Sequence, residues 1–251
     1  FPRVVAAPLG GLLIAAFGIV GGIRIAFAVT ILLGVGVVLT QRKVFRADSL
    51  NKADSAPLSA IKIFRAMPVS MKRLLAAECL VRTGEAIAGS FIVLYVLEVL
   101  HYSPSTYGLL YALQQIIAIV SYIPAGKLAD RTGRRPLIGL TFLFFALFPL
   151  AVQQAQSFLW LIGAFVVGGL KEFGEPARKS LILDLSDEKR TGRTVGAYYT
   201  IRNLLIVPAG ALGGILWQLG PELPLQIACV VSTLGLLGYL VSKPAGAHGA
   251  A

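Results

Sequence analysis

Charged side chains interrupt one of the long apolar stretches of this sequence, in the segment AECLVRTGEAIAG. Glu78, Arg82 and Glu85 stand at positions i, i+4 and i+7, so a helix would place all three on one face. Glu78 and Arg82 have the spacing of an ion pair, which predicts that they neutralise each other. Glu85 is then left as a carboxyl group in apolar surroundings, where it could bind and release a proton.

Two further groups of ionisable residues occur late in the sequence. Lys171 and Glu175 are four residues apart, which predicts a second ion pair within one helix. Arg202 is accompanied by Tyr198 and Asn203, and this group could bind an anionic or polar molecule. Pairing of Arg202 with a carboxylate of another helix is the alternative, because an isolated charge is costly in apolar surroundings.

Uncharged polar residues form a third group of candidates. Tyr111 shares a helical face with Gln114 or Gln115, since side chains three or four positions apart are neighbours on a helix. These residues could line a cavity and contact a substrate, or they could serve polar packing between helices. The mixed-charge stretch Arg178–Arg193 is typical of a solvated helix end and loop.

The elements that carry these residues are long apolar segments. Of the 251 residues, 56% are hydrophobic and 14% are charged, and the mean hydropathy is +0.77. A soluble domain carries about 25% charged residues, so this composition indicates an all-α membrane protein, a polytopic helical bundle. Eight segments are long enough to span a bilayer as helices: Val4–Val20, Ile25–Thr40, Leu74–Leu100, Tyr107–Ile123, Pro136–Val152, Phe158–Glu175, Val195–Trp217 and Pro224–Val241.

Basic residues are confined to alternate connections between these segments. They occur at Arg3, in Gln41–Arg73, in Lys127–Arg135, in Arg178–Arg193 and at Lys243, whereas the other connections hold only Arg24. Lysine and arginine accumulate on the cytoplasmic side of membrane proteins, so both ends of the chain are expected there. Topology therefore explains the net charge of +11, and nucleic-acid binding is not expected.

Few residues remain for other chemistry. Cys79 and Cys229 lie within apolar segments, and the two histidines, His101 and His248, are far apart in the chain. No cysteine–histidine cluster has the spacing of a metal site, and neither a nucleophile elbow nor a phosphate-binding loop occurs. We therefore expect no metal, no cofactor and no enzymatic activity.

The connection between the fourth and fifth segments, GKLADRTGRR, has a more specific pattern. It resembles the signature G-x-L-a-D-r-x-G-r-r of the major facilitator superfamily, with matches at Gly126, Leu128, Asp130, Arg131, Gly133, Arg134 and Arg135. The stretch Ala7–Leu13, APLGGLL, is similar to the fifth helix of that family. The turn Gly22-Ile23-Arg24 resembles its G-W-R turn, with Ile23 in place of tryptophan.

This resemblance implies that the eight segments are helices five to twelve of the family. Residues 1–40 would be the last two helices of the N-terminal half, and residues 41–73 a cytoplasmic linker with a surface helix. Residues 74–243 would be the six-helix C-terminal half, and residues 244–251 a cytoplasmic tail. The charged connection would be a gating loop whose residues are Gly126, Asp130, Arg131, Gly133, Arg134 and Arg135; its charges could instead serve only as a topology anchor.

The resemblance also implies a function. We expect a secondary transporter that moves a small molecule across the plasma or inner membrane by alternating access. Coupling to a proton gradient is expected, with export, as in an antiporter, as the favoured direction. A non-transporting membrane scaffold or an inactive transporter fragment is the alternative. The expected partners are membrane lipid, a small-molecule substrate, protons, and the N-terminal helices that the resemblance places before residue 1.

Overall fold

The computed structural model describes residues 2–44, 60–186 and 191–242, which form helices and no strand. The helices are α1 (Pro2–Val44), α2 (Ala60–Ala66), α3 (Val69–Leu94), α4 (Pro104–Thr132), α5 (Arg134–Gln153), α6 (Phe158–Leu170), α7 (Glu175–Asp184), α8 (Thr191–Ile206), α9 (Ala209–Leu219) and α10 (Leu223–Val241). A π-helical turn, Tyr95–Val99, continues α3. The prediction of an all-α membrane protein is confirmed.

Six helical stretches among the described residues are long and apolar enough to cross a bilayer. They are Val20–Arg42, Val69–Val99, Pro104–Thr132, Arg134–Gln153, Thr191–Leu219 and Leu223–Val241. Many large apolar side chains on the outside of the bundle are exposed, as Leu33, Leu159 and Val207 are. An apolar exterior of this extent is what contact with lipid hydrocarbon requires.

The first two predicted segments are the two arms of α1, which reverses direction at Gly18. The φ angle of Gly18 is 72° and its ψ angle is 170°, a conformation that glycine adopts without a steric penalty. A Cβ atom on Gly22 would lie 2.8 Å from the backbone nitrogen of Ile14, although eight residues span about 12 Å in a straight helix. The prediction of a turn at Gly22-Ile23-Arg24 is therefore wrong by a few residues, because the chain turns where glycine takes the positive φ.

Serine caps define the starts of α4 and α6. Ser103 Oγ accepts a hydrogen bond from the backbone N–H of Thr106 at 3.1 Å, and Pro104 occupies the first helical position. Ser157 Oγ accepts a hydrogen bond from the backbone N–H of Trp160 at 3.4 Å. Each cap satisfies a backbone donor that the first helical turn leaves without a partner.

The sixth and the seventh predicted segments are not continuous helices: the sixth is α6 followed by a break, after which α7 begins at Glu175, and the seventh spans parts of α8 and α9. Residues 171–174 separate α6 from α7, and Val207-Pro208 separates α8 from α9, where proline offers no backbone donor. Gly174 fixes the first break, because its N–H donates to Thr141 Oγ1 at 2.6 Å. A Cβ at Gly174 would lie 2.5 Å from the carbonyl oxygen of Leu137, so only glycine fits against α5 there.

Helices α3 and α10 pack through backbone contacts. A Cβ on Gly84 of α3 would lie 2.6 Å from the carbonyl oxygen of Ala228, and a Cβ on Gly235 of α10 would lie 2.8 Å from that of Ala77. Small residues at such positions let two helices approach closely, which favours association within a membrane. A neighbouring face of α3, which carries Glu78, contacts α7 and α8.

The predicted linker is described only in part. Residues 45–59 lie outside the described residues, as does the predicted tail at 244–251. Within the described part, Ile63 and Phe64 of α2 pack against the same apolar core as α3 and α8. Lys72 Nζ donates to the carbonyl oxygen of Arg65 at 2.8 Å, which ties α2 to the first turn of α3.

Candidate functional site

Helices α3, α7 and α8 meet at a buried carboxylate. Glu78 on α3 has no exposed surface. Its Oε1 accepts hydrogen bonds from Arg178 and, at 2.6 Å, from Arg202. Its Oε2 accepts a hydrogen bond from the Tyr198 hydroxyl at 2.5 Å. Two guanidinium groups and a hydroxyl thus replace the hydration that the carboxylate loses, and one side chain holds three helices together.

A second carboxylate lies two turns further along α3. Glu85 accepts hydrogen bonds from Arg82 and from Lys171, each at 2.7 Å. Both cations lie over the ring of Phe145, with the Arg82 guanidinium carbon 4.6 Å and Lys171 Nζ 5.2 Å from its centre. The negative face of an aromatic ring attracts cations, so Phe145 supports this arrangement. Glu85 thereby joins α3 to the break between α6 and α7.

Arg178 connects Glu78 to a third carboxylate, that of Glu175. It contacts Glu78 through one nitrogen, and its Nε and Nη2 donate to Glu175 at 3.0 and 2.6 Å. Glu175 in turn accepts a hydrogen bond from Arg82 at 3.2 Å. We call the seven residues Glu78, Arg82, Glu85, Lys171, Glu175, Arg178 and Arg202 the charge network. The network unites α3, the α6–α7 break, α7 and α8.

The prediction that Arg178 belongs to a solvated patch is wrong. Only 2% of its side chain is exposed, because α7 packs its first turn into the bundle. Arg178 follows Glu175 by three residues, and Pro176 marks a helix start, so the sequence does place both charges on one face. That spacing is the signal from which the buried pair could have been found.

The two predicted ion pairs within single helices have other outcomes. Arg82 Nε lies 4.0 Å from Glu78 Oε1, so this contact is peripheral to the closer partners that each residue has. The Lys171–Glu175 pair is not formed, because the helix is interrupted between these residues and Lys171 turns toward Glu85 instead. Arg202 pairs with a carboxylate of another helix, which is the alternative that the sequence left open.

Two wide grooves and one smaller cavity adjoin the charge network. The smaller cavity, of about 170 Å³, is lined by Glu85, Lys171, Tyr111 and Gln114, together with aromatic side chains that include Phe145. The grooves measure about 610 and 780 Å³, and both are lined by Arg82 and Glu85. Volumes of this order accommodate small organic molecules.

The predicted substrate-contact residues separate into two sets. Tyr111 and Gln114 line both the smaller cavity and one groove, and Gln115 lines that groove. Tyr198 lies fully buried against Glu78, and the side chain of Asn203 accepts hydrogen bonds from Arg202. Neither Tyr198 nor Asn203 lines these cavities, so both support the charge network and do not face the space beside it.

The predicted gating loop is mostly helical. Helix α4 continues through Gly126, Asp130 and Arg131 to Thr132, and α5 starts at Arg134. Gly133, with a φ angle of 81°, is the single residue between the two helices. The prediction of a loop over the whole motif is wrong because one glycine in this conformation suffices to reverse the chain.

Two arginines of this motif, Arg134 and Arg135, contact other helices, whereas its aspartate forms no ion pair among the described residues. Arg134 pairs with Asp184 at the end of α7. Arg135 donates to the carbonyl oxygen of Leu240 at 3.1 Å and also contacts that of Ser242, so it satisfies the C-terminus of α10. Asp130 is exposed and forms no ion pair within the part of the chain that the structure describes.

A comparison with known protein families identifies the family to which this arrangement of helices belongs. The model of the Major Facilitator Superfamily matches residues 74–250. The chain belongs to this superfamily. The matched region contains all of the charge network and the glycine turn between α4 and α5, so the resemblance predicted from GKLADRTGRR is confirmed. Within the superfamily the chain is a multi-pass membrane protein.

Two of the following relatives have names that state transport, and a third is named for drug resistance. The chain is 28% identical to an uncharacterised MFS-type transporter of Methanocaldococcus jannaschii over 130 residues, 51% of this chain and 33% of the relative. It is 28% identical to a Na(+), Li(+), K(+)/H(+) antiporter of Planococcus maritimus over 178 residues, 67% of this chain and 41% of the relative. It is also 28% identical to the class C tetracycline resistance protein of Escherichia coli, over 53% of this chain and 34% of that protein. The matches thus span between a third and two fifths of these relatives.

Proposed function

We propose that this chain is part of a secondary transporter that moves a small molecule across the cell membrane by alternating access. The charge network beside the two grooves is the observation that supports it. Ionisable groups within a membrane protein are costly and mark substrate or ion pathways. A protein with a purely structural role has no need for charged groups beside grooves of about 610 and 780 Å³.

The network suits a protein that changes conformation. Its ion pairs connect four chain segments, and they can be exchanged for other pairs without disturbing any backbone hydrogen bond. Helix α7 begins directly after the break at residues 171–174, and α8 ends directly before the break at Val207-Pro208. Interrupted helices near the middle of the membrane are a recurrent feature of secondary transporters.

Proton coupling and export are the finer parts of the proposal. Support comes from the relatives, whose names describe an antiporter of monovalent cations and protons, and resistance to tetracycline. A resistance protein that works by transport moves its substrate out of the cell. The distribution of basic residues supports an orientation with both ends of this chain in the cytoplasm.

Everted membrane vesicles from cells that express the complete gene product test the proposal. A fluorescent pH probe would report proton movement when NaCl, LiCl, KCl or tetracycline is added. At least one of these probes should dissipate the pH gradient faster than in vesicles from cells without the gene. The result against transport would be that none of these compounds causes proton movement and none crosses the membrane. That result would favour the alternative of a non-transporting scaffold.

Asp130→Asn should lower the rate of transport and leave the amount of protein in the membrane unchanged. Asp130 is exposed and has no ion pair among the described residues, so its replacement removes no stabilising contact of this conformation. An effect on rate would then arise from a contact made in another conformation. Uptake kinetics and membrane abundance, measured together, decide the matter, and unchanged kinetics would favour a simple topology anchor.

A further inference from the structure

The smaller cavity, of about 170 Å³, reaches deeper into the bundle than the two wide grooves do. Phe145, Phe148 and Pro149 of α5 line it, whereas no described residue of α5 lines either groove. These three residues are buried, as are Ala88 and Ile92, which line the cavity from α3. The cavity therefore extends into the core between α3, α4 and α5.

Aromatic side chains form much of the wall of this cavity. Tyr107 and Tyr111 of α4 line it with their ring centres 6.3 Å apart, and Phe145 and Phe148 line it from α5. Aromatic rings attract one another in offset or edge-to-face arrangements at centre separations of about 4.5–7 Å. A cavity of about 150 Å³ with apolar walls binds benzene, so the space here suits a single six-membered ring.

The side chain of Gln114 brings a polar group to this largely apolar wall. Only 5% of Gln114 is exposed, and its amide makes no hydrogen bond within the described part of the chain. A buried amide without a partner is costly, so it needs water or a ligand. A ligand that displaces water from such a group keeps its affinity only if it supplies equivalent hydrogen bonds. The occupant should therefore carry a hydrogen-bonding substituent on its ring.

The charged residues that line the cavity, Glu85 and Lys171, satisfy each other. Lys171 Nζ lies 2.7 Å from Glu85 Oε1, and it lies 5.2 and 5.5 Å from the ring centres of Phe145 and Phe148. A charged ligand would have to break this pair or lie unpaired among aromatic side chains, and either arrangement is costly. The substituent on the ring should therefore be uncharged.

We propose that this cavity holds one aromatic ring of the transported molecule, with the Gln114 amide hydrogen-bonded to an uncharged polar substituent of that ring. The inference rests on the proposed function and names the substrate class, which is small neutral aromatic compounds. A saturated ring of similar size offers no aromatic face to the surrounding side chains, so the cavity discriminates against it.

Equilibrium dialysis of radiolabelled benzamide against the complete gene product in lipid nanodiscs tests the inference, with empty nanodiscs as the background. Benzamide combines one aromatic ring with a neutral amide, and its binding to the wild type should be saturable. Cyclohexanecarboxamide has the same amide without the aromatic ring and should compete roughly tenfold less well. Benzoate, which keeps the ring but carries a charge, should also compete less well than benzamide.

Two variants locate the bound ring. Gln114→Leu removes the amide and should weaken benzamide binding by roughly two- to tenfold, the effect of one lost hydrogen bond. Gly89→Leu should abolish binding, because Gly89 lines the cavity and a Cβ there meets no atom within 4 Å. Gly238→Leu is the matched control, since its Cβ also meets no atom within 4 Å and it lines none of these cavities. It should bind benzamide as the wild type does.

Several results would overturn the inference: no saturable binding of benzamide to the wild type, equal competition by cyclohexanecarboxamide, tighter binding of benzoate, or unchanged binding to Gly89→Leu. Weaker binding to Gln115→Leu but not to Gln114→Leu would place the ring in the groove and would also overturn it. If Gly89→Leu does not fold, Gln114→Leu still decides. Dialysis requires no transport, so saturable binding together with vesicles that move no compound would contradict the proposed function and leave the assignment of the cavity standing.

Discussion

Arg178→Met should lower the free energy of unfolding by about 3–5 kcal/mol, the cost of leaving buried carboxylates without their cation. Glu78 has no exposed surface, and Glu175 is also buried. Arg178 contacts both, and methionine has a similar length without a charge or a donor. Thermal unfolding of the purified protein in detergent, followed by fluorescence-detected gel filtration, should show this loss of stability as a lower melting temperature.

Lys179→Met is the matched control, because it removes a neighbouring cation that pairs with the same Glu175. Its side chain is 60% exposed, compared with 2% for Arg178, and an exposed pair contributes about 0–1 kcal/mol. Arg178 should therefore be far more sensitive than Lys179. Similar losses for the two variants would show that the buried network does not stabilise the bundle.

Gly235→Ala should be strongly destabilising for a steric reason. Its Cβ would lie 2.8 Å from the carbonyl oxygen of Ala77 and 2.7 Å from a methyl carbon of Val81, both on α3. Since one of these atoms belongs to the backbone, α3 and α10 would have to separate. Overpacking of this kind costs about 1–3 kcal/mol, and the same thermal measurement in detergent would detect it.

Gly238→Ala is the corresponding control on α10, one turn further along. A Cβ on Gly238 meets no atom within 4 Å, and alanine has the higher helix propensity. This variant should match or exceed the stability of the wild type. If Gly235→Ala were equally well tolerated, close backbone contact between α3 and α10 would not be needed for stability.

Features that follow from the periodicity of a single helix could be predicted from the sequence. The spacing of Glu78, Arg82 and Glu85 places them on one face, and all three belong to the charge network. Similarly, Tyr111 and Gln114 face the same cavity. Helical periodicity fixes such relations before any tertiary contact forms.

Features that depend on contacts between helices could not be predicted from the sequence in this way. Ion pairs within one helix were predicted for Lys171 and Glu175, but the backbone break directs Lys171 to Glu85, 86 positions away. Glycine positions had a similar ambiguity, since either Gly18 or Gly22 could reverse α1. The contact between Gly22 and Ile14 requires the turn to lie between them, at Gly18.

The burial of Arg178 shows a related limit. Charges near a predicted loop are usually solvated, so composition alone favours an exposed position. The packing of α7 decides otherwise, and nothing in its own sequence states that Glu78, 100 positions earlier, lies opposite.

The link of a single residue, Gly133, has a mechanical consequence for the bundle. Helices α4 and α5 cannot change their separation at this end by lengthening a loop, so a displacement of one must be transmitted to the other. Arg135, next to this link, donates hydrogen bonds to the last carbonyl groups of α10. A displacement of α5 is therefore also transmitted to α10. The ends of these three helices near Gly133 should therefore move together when the bundle changes conformation.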